Sequence, residues 1–122
     1  MEKMKVIKEI IDKIEFTYKI GQNRDENVDA LDHADPEDYW FHWKDGPSCF
    51  VIMTNPENGF KNKKTKRKAY KKGSLLVKEN TNSLKVVQTL PLEITIAKVK
   101  DIEKQHITGQ VLVKQQLTDF II

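Results

Sequence analysis

The stretch that decides the fold is residues 38–53, which read DYWFHWKDGPSCFVIM. A run of aromatic residues is followed by a Lys-Asp-Gly-Pro segment and then by an uninterrupted apolar run. This pattern predicts two strands, residues 39–43 and 49–54, joined by a tight turn. The second run is apolar at every position, which is typical of a strand in the middle of a sheet with both faces covered.

Alternate side chains of a strand point to opposite faces, so the aromatic stretch divides into two sets. We expect Phe41 and Trp43 to lie in the core. The other face should approach a surface that also holds Asn23 and Asn27, and aromatic sheet faces of this kind stack bases in several RNA-binding folds. For any single aromatic residue a place in the core is still the better expectation. The two sets are Asp38, Trp40 and His42 on one face, and Tyr39, Phe41 and Trp43 on the other.

The chain before this stretch predicts a helix, a strand and a second helix. Apolar residues at helical spacing in residues 3–13 predict an amphipathic helix, which we treat as a separate amino-terminal segment, residues 1–13. Alternation in residues 14–20 predicts a half-buried strand that ends at Gly21. Asn23 is suited to cap a short helix, with Glu26 in the reciprocal position, and Asp35-Pro36 breaks that helix.

The chain after this stretch predicts one long helix and several strands. The helix should cover residues 63–79, with small and apolar residues on one side and basic residues on the other. Strands are predicted over residues 84–89, 92–98 and 109–114, and the tail LTDFII should add an edge strand. The predicted fold of residues 14–122 is a single α+β domain: a mixed, mostly antiparallel sheet with two or three packed helices.

Composition favours an intracellular protein without cofactors. The 122 residues include one cysteine, so no intrachain disulfide can form, and a reducing, cytoplasmic compartment is expected. The longest apolar run, residues 49–53, is far too short to cross a bilayer, and no membrane partner is expected. Three scattered histidines and one cysteine do not form a zinc site, although a site built from carboxylates alone stays open.

Charge is distributed unevenly along the chain. Residues 1–60 carry 7 Lys/Arg and 13 Asp/Glu, whereas residues 61–122 carry 14 and 5. The segment KNKKTKRKAYKK, residues 61–72, holds eight basic residues and no acid. Like charges four residues apart on a helix repel one another, and phosphate contact is the commonest compensation. The alternative is a solvated, solubilising face. The predicted phosphate contacts are Lys61, Lys63, Lys64, Lys66, Arg67, Lys68, Lys71 and Lys72.

Candidate catalytic residues are few. Asp38 and His42 lie four residues apart on one strand, roughly 13 Å, which is beyond hydrogen-bond reach. His42 would therefore need a partner from elsewhere, such as Asp45, Ser48 or an acid of residues 25–38. Cys49 lies in the apolar strand and is expected to be inert. The acidic residues 25–38 match no EF-hand spacing, and a solvated helix and loop is the simpler interpretation.

The order of these motifs resembles the NFACT-R family, the RNA-binding domain of ribosome quality-control factors. The pattern is Gly-x-Asn, a second asparagine four residues on, Asp-x-Trp-Phe-His, a Pro-Ser turn and a strand. The resemblance covers roughly residues 14–114, is specific over residues 21–53, and is strongest to small eukaryotic members in which a coiled coil follows the domain. The matching residues are Gly21, Asn23, Asn27, Asp38, Trp40, Phe41, His42, Pro47 and Ser48.

The resemblance implies nucleic-acid binding with no enzymatic activity in this domain. It also implies that Asn23, Asn27, Asp38, Trp40, His42 and Ser48 form a common surface, either contacting the ligand or supporting the fold. One departure is Phe50, which stands where the family usually has a histidine. The large factors use further parts to recruit tRNA and grip the ribosome, so we do not expect this chain alone to act as a complete factor.

These observations together predict a non-enzymatic module that binds structured RNA, either tRNA or an rRNA surface of the ribosome, through the basic helix. Duplex DNA binding through the same residues is one alternative, and docking on a ribosomal or translation-factor protein is another. A metal-dependent hydrolase or nuclease built around His42 has the least support, because neither a ligand spacing nor a base-orienting pair is visible.

Overall fold

A computed structural model of the chain describes residues 4–56, 59–81, 91–104 and 111–122. In these ranges the chain forms two helices, α1 and α2, eight strands, β1 to β8, and one turn of 3-10 helix. In chain order they are β1 (Lys5–Ile11), β2 (Ile14–Gly21), α1 (Arg24–Asp32), β3 (Tyr39–Trp43), β4 (Phe50–Met53), α2 (Lys63–Asn80), β5 (Glu93–Lys98), the 3-10 turn (Val99–Asp101), β6 (Ile102–Lys104), β7 (Val111–Val113) and β8 (Thr118–Ile121).

Six strands form one sheet in the order β1-β2-β4-β3-β5-β8, and β6 and β7 form a small second sheet. Each pairing among the described strands is antiparallel. The apolar strand β4 lies between β2 and β3, and its four residues are all buried, which confirms the prediction of a central strand. The predicted α+β class, with one domain and a mostly antiparallel sheet, is confirmed.

The sheet is covered on both faces, and each face has its own core. Helix α2 packs on the face that carries Phe41, together with Phe16, Tyr18, Val51 and Ile96. The opposite face carries Trp40, Phe50, Ile52 and Ala97, which pack with Ala30 and Leu31 of α1 and with residues of β6 and β7. Because adjacent residues of β3 point to opposite faces, the aromatic run serves both cores at once.

Helix α2 follows the predicted amphipathic pattern. Ala69, Gly73, Leu76 and Val77 are all buried on its inner side. A Cβ atom at position 73 would lie 2.6 Å from Cζ of Phe41, closer than real Cβ contacts come. Glycine in the middle of this helix is therefore explained by the close approach of the Phe41 ring.

The predicted helix over residues 3–13 is wrong, because Lys5–Ile11 forms strand β1. This strand pairs with β2 over its full length, from Lys5 opposite Ile20 to Ile11 opposite Ile14. Ile7 and Ile11 face the core, and β-branched residues such as these favour strands. Since β1 belongs to the main sheet, Lys5–Ile11 is not a separate segment in front of a domain that begins at residue 14.

The turn between β1 and β2 consists of Asp12 and Lys13, whose φ angles are 50° and 69°. A two-residue hairpin turn with two positive φ angles has the backbone of a type I′ turn, where asparagine and glycine are preferred. Neither residue is glycine, so the turn carries backbone strain that the surrounding contacts must offset.

The remaining strand predictions divide into three groups. The strands predicted at 92–98 and 109–114 are present as β5 and β7, and the tail forms the edge strand β8 beside β5. Strand β6 was not predicted. The strand predicted at 84–89 lies outside the described residues. No helix in the described ranges is long and apolar enough to cross a membrane.

Candidate nucleic-acid interface

The basic residues of α2 form a cationic surface, which we call the basic face. The helix begins after Asn62, whose side-chain oxygen accepts a hydrogen bond of 2.9 Å from the Thr65 backbone N–H. No acidic residue follows until Glu79, near the end of the helix. Of the predicted phosphate contacts, Lys72 is half-buried, and the exposed ones are Lys61, Lys63, Lys64, Lys66, Arg67, Lys68 and Lys71.

Acidic residues of the β1–β2 hairpin neutralise part of this face. Lys68 Nζ lies 2.9 Å from Asp12 Oδ1, and Lys72 Nζ lies 3.8 Å from Glu9 Oε2. Thr65 donates a 2.6 Å hydrogen bond to the second oxygen of Asp12. The Thr65 hydroxyl first, and Lys68 next, hold the pKa of the Asp12 carboxyl below its usual range.

The other basic side chains of the face divide into two kinds. The Arg67 guanidinium lies 6.0 Å from the Phe120 ring centroid, and Lys66 Nζ lies 5.9 Å from that of Tyr70, within cation–π range. The cations that make neither a cation–π contact nor a hydrogen bond or ion pair with a described residue are Lys61, Lys63, Lys64 and Lys71. The predicted contacts are therefore not equivalent.

A cleft of about 1000 Å³ lies beside the amino terminus of α1, and it brings together most of the residues on which the family resemblance depends. Asn23, Asn27, Trp40, His42 and Ser48 all line it, so five of the six predicted residues share one site. The cleft is also lined by residues for which no function was predicted: Arg24 at the start of α1, Lys44 after β3, and Asn80 and Thr81 at the end of α2.

Asp38 is the predicted surface residue that the structure places elsewhere. It is buried, and its carboxylate accepts hydrogen bonds from the backbone N–H groups of Asp35 (3.0 Å) and Asn55 (2.9 Å). These bonds tie the loop before β3 to the loop after β4. Asp38 is therefore a structural residue, and it is absent from the cleft lining.

The spacing of Gly21, Asn23 and Asn27 has a structural explanation. Asn23 caps α1, as predicted, by accepting a 2.9 Å hydrogen bond from the Glu26 N–H, while the Glu26 carboxylate accepts from the Gln22 N–H. Asn27 Oδ1 accepts from the Phe50 N–H at 2.9 Å and so fastens α1 to β4. A Cβ atom at position 21 would lie 2.7 Å from the Asn27 backbone N, so only glycine permits this approach.

The turn from β3 to β4 is closed by hydroxyl groups. Ser48 Oγ accepts from the Trp43 N–H at 3.1 Å and donates to the Cys49 carbonyl at 3.0 Å. Thr81 Oγ1 accepts from the Cys49 N–H at 3.0 Å. Burial raises the pKa of the Cys49 thiol, so this residue is an inert part of the core, as predicted.

Three rings form the apolar part of the cleft. Trp40 and His42 stack with centroids 5.2 Å apart and planes at 10°, and Phe50 meets both rings edge-on. Trp40 is 1 % exposed, so it lies in the second core rather than on an open sheet surface, whereas His42 is half-buried. Desolvation lowers the pKa of His42 from 6.5 to about 4, so the imidazole is neutral near pH 7.

Two of the partners predicted for His42 line the same cleft, and the others do not. His42 has Trp40 and Phe50 as its ring neighbours, and none of the acids in residues 25–38 lines the cleft with it. Asp45 and Ser48 do line it, but the Ser48 hydroxyl is engaged with the Trp43 N–H and the Cys49 carbonyl. In the ranges that the structure describes, no group of three His, Cys, Asp or Glu side chains is arranged to hold a metal ion.

Comparisons with known proteins bear on the fold alone. No protein-family model matches the chain, and no curated protein matches it. Among solved structures, the chain is similar to the C-terminal part of the fibronectin/fibrinogen-binding protein from Streptococcus suis, with a TM-score of 0.74 and 17 % identity. That alignment covers 100 % of this chain and 46 % of the other, so this chain spans less than half of that structure. The resemblance to the NFACT-R family stays a prediction from residues 21–53.

Proposed function

We propose that this chain binds structured RNA, such as tRNA or a ribosomal surface, through the basic face of α2 and without catalysing a reaction. The observation that carries the proposal is the exposure of seven Lys and Arg side chains over residues 61–71. Lysine and arginine side chains that contact phosphates release condensed counterions, which supplies most of the affinity of sequence-independent binding. We therefore expect strong salt dependence and low sequence specificity.

Individual cations should contribute unequally to this binding. Lys63, Lys64 and Lys71 are exposed and make no hydrogen bond or ion pair with a described residue. A phosphate can therefore reach them without displacing another group. Lys68 must first exchange Asp12 for a phosphate. We expect the first three residues to contribute most to affinity and to the salt slope.

The test is fluorescence-anisotropy titration of labelled tRNA at several salt concentrations. The variant Lys63→Gln/Lys64→Gln/Lys71→Gln should bind far more weakly, and its log–log salt slope should fall by roughly 0.9 for each phosphate that is no longer neutralised. A control with the same change in net charge is Lys8→Gln/Lys104→Gln/Lys114→Gln, whose sites lie outside α2. Equal weakening of both variants would mean that total charge, and not the basic face, governs binding.

Duplex DNA is the alternative ligand for the same face. A DNA duplex of matched length belongs in the same titrations, because the basic face by itself does not distinguish the two polymers. A preference for duplex DNA over folded RNA at equal salt would replace the RNA proposal while leaving the interface unchanged.

A protein partner is the second candidate function. The structurally similar streptococcal protein is named for binding fibronectin and fibrinogen, and strand β1 of this chain exposes Val6 (48 %) and Ile10 (72 %) at the edge of the sheet. A strand at the end of the described sheet can pair with a strand of another chain, and apolar side chains on it favour that contact. Immobilised fibronectin is the direct probe. Binding that persists in the triple Gln variant of α2 would favour this candidate.

A further inference from the structure

The cleft beside α1 contains hydrogen-bond donors that have no acceptor. Asn23 and Asn27 use their side-chain oxygens for the Glu26 and Phe50 N–H groups, which leaves both Nδ2 groups without a partner among described residues. The indole N–H of Trp40, another lining residue, is buried and has no hydrogen-bond partner among the described residues. The Arg24 guanidinium at the rim is exposed and makes no ion pair with a described residue.

Several other polar groups that line the cleft are already satisfied, and the exposed Asp45 is the one acid in the lining. Ser48 donates a hydrogen bond to the Cys49 carbonyl, and Thr81 accepts one from the Cys49 N–H. Lys44 is held by Asp119 at 2.8 Å and Glu93 at 3.3 Å, so its charge is compensated. A ligand that fits the unpaired groups must therefore supply acceptors, and it should carry a negative charge for Arg24.

The cleft also offers a ring for stacking. Trp40 covers one face of His42, and Phe50 meets the imidazole edge-on, while His42 stays half-buried and lines the cleft. A planar heterocycle can extend this stack on the other face of the imidazole. The neutral state of His42 near pH 7 avoids placing a buried positive charge under such a ring.

We propose that this cleft binds a single nucleotide, with the base stacked on His42, its acceptors bonded by Asn23 and Asn27, and its phosphate at Arg24. The volume of about 1000 Å³ is sufficient for one nucleotide, since pockets for small ligands range over roughly 300–1,000 Å³. The shared chemistry is an acceptor-rich planar base carrying a phosphate. It can come from a free mononucleotide or from an unpaired residue of RNA.

The position of the cleft connects it to the basic face. Asn80 and Thr81 at the end of α2 line the cleft, and Lys71 lies nine residues before Asn80 on the same helix, roughly 14 Å along its axis. An RNA held on the basic face can therefore place one unpaired nucleotide in the cleft. This RNA source of the ligand rests on the proposed function, whereas binding of a free mononucleotide does not.

The test uses calorimetric titration of the full chain with AMP and with UMP, alongside inorganic phosphate and adenosine. Asn23→Asp and Asn27→Asp retain the oxygens that hold Glu26 and Phe50, but they replace the free donor with an acceptor. Each should fold and should weaken mononucleotide binding by about tenfold or more. Asn62→Asp is the matched control, because Asn62 caps α2 in the same way outside the cleft.

Two further experiments distinguish a free mononucleotide from RNA as the ligand, and the nucleotide cleft from RNA binding by α2. The triple Gln variant of α2 should retain mononucleotide binding while losing tRNA, and Asn27→Asp should lose the mononucleotide while retaining most of the salt-dependent tRNA affinity. A synthetic hairpin with one unpaired residue, compared with a fully paired one, tests the RNA source. Failure of both nucleotides to bind, binding no tighter than that of phosphate, or equal weakening by Asn62→Asp would overturn the nucleotide cleft and leave RNA binding by α2 intact.

Discussion

At the scale of single residues, the side chains of residues 21–48 act mainly on the backbone. Asn27, Asp38 and Ser48 each direct a side-chain oxygen to a backbone N–H that the strands leave unpaired. A buried N–H without a partner costs free energy, so each side chain stabilises a loop or an element end. Polar residues in a sequence motif therefore include structural ones, and Asp38 is the example here.

Gly73 gives a prediction about stability. Replacement by alanine improves helix propensity by about 1 kcal/mol, but the new Cβ would meet the Phe41 ring at 2.6 Å. We expect overpacking to dominate, so that Gly73→Ala lowers the free energy of unfolding by about 1–3 kcal/mol. Urea unfolding measures this change. Lys71→Ala, on the exposed side of the same helix, is the control, and an unchanged midpoint for Gly73→Ala would contradict the packing.

His42 gives a prediction about pH. Its pKa is lowered from 6.5 to about 4 in the folded chain, so the unfolded chain takes up a proton first as the pH falls. Stability contributed by the neutral imidazole is present above pH 6.5 and is lost as the pH falls towards 4, by roughly 2 kcal/mol at pH 4.5.

The measurement for His42 is the free energy of unfolding at several pH values between 7 and 4.5. Asp12 and Asp119, two aspartates whose pKa is lowered, lose most of their contribution below this range. His42→Asn should flatten the profile relative to the wild-type chain, and His33→Asn, at an exposed site, is the control. A slope that persists in His42→Asn would show that another group titrates.

At the scale of elements, acids of the β1–β2 hairpin pair with cations of α2 to which we propose that RNA binds. Asp12 holds Lys68 and Thr65, and Glu9 lies near Lys72, so the hairpin places carboxylates where phosphates would bind. The positive φ angles of Asp12 and Lys13 show that the turn keeps this arrangement despite backbone strain. If RNA binds as proposed, we expect the hairpin to limit its affinity for the basic face.

Asp12→Asn tests this competition. The change frees Lys68 and removes one negative charge from the edge of the basic face, so tRNA affinity should rise a few-fold while thermal stability falls. Glu15→Gln is the control, because it removes an equal charge from an ion pair with Lys8 that does not involve α2. Equal gains in affinity for the two variants would assign the effect to net charge.

Helices and strands were predictable where the sequence pattern fitted only one type of secondary structure. Helix α2 and strands β2, β3 and β4 had clear periodicity and clear end signals, and the structure confirms them. Strand β1 failed because Ile7, Ile10 and Ile11 fit a helical spacing and a strand equally well in so short a segment. The β-branched side chains and the two-residue separation from the next alternating run were the signals for a hairpin.

The cleft was predictable only in part. Asn23, Asn27, Trp40, His42 and Ser48 lie together in the structure as the family resemblance implies. Asn80 and Thr81 carry no local signal, because only the packing of α2 brings them to the start of β4. Burial of Trp40 also depends on elements distant in sequence, since α1, β6 and β7 cover that face of the sheet.

At the scale of the whole molecule, folding brings the two oppositely charged halves of the sequence together. Among the residues that the structure describes, five ion pairs join an acid of residues 1–60 to a lysine of residues 61–122: Asp12–Lys68, Glu9–Lys72, Glu37–Lys98, Glu37–Lys100 and Asp32–Lys104. The separation of charge seen in the sequence is therefore partly neutralised in the fold. On α2, Lys63, Lys64 and Lys71 make no ion pair with a described residue.

The sheet order predicts a gradient of hydrogen exchange across the molecule. Strands β4 and β3 are paired on both sides and buried, so their amides should exchange most slowly. Strands β1, β8, β6 and β7 should exchange faster, since each pairs with only one other strand in the described part of the chain. Exchange followed by mass spectrometry or NMR measures this order, and protection of β8 equal to that of β4 would contradict the topology.

The sequence has one cysteine, and its thiol is buried between the start of β4 and the end of α2. A thiol reagent can reach Cys49 only after these two elements have separated, and the raised pKa of the thiol slows the reaction further. The rate of Cys49 labelling therefore reports how often these two elements separate in the native chain, with no introduced probe. Since the same two elements line the cleft, a bound mononucleotide should slow that labelling, so that one natural atom reports both folding and occupancy.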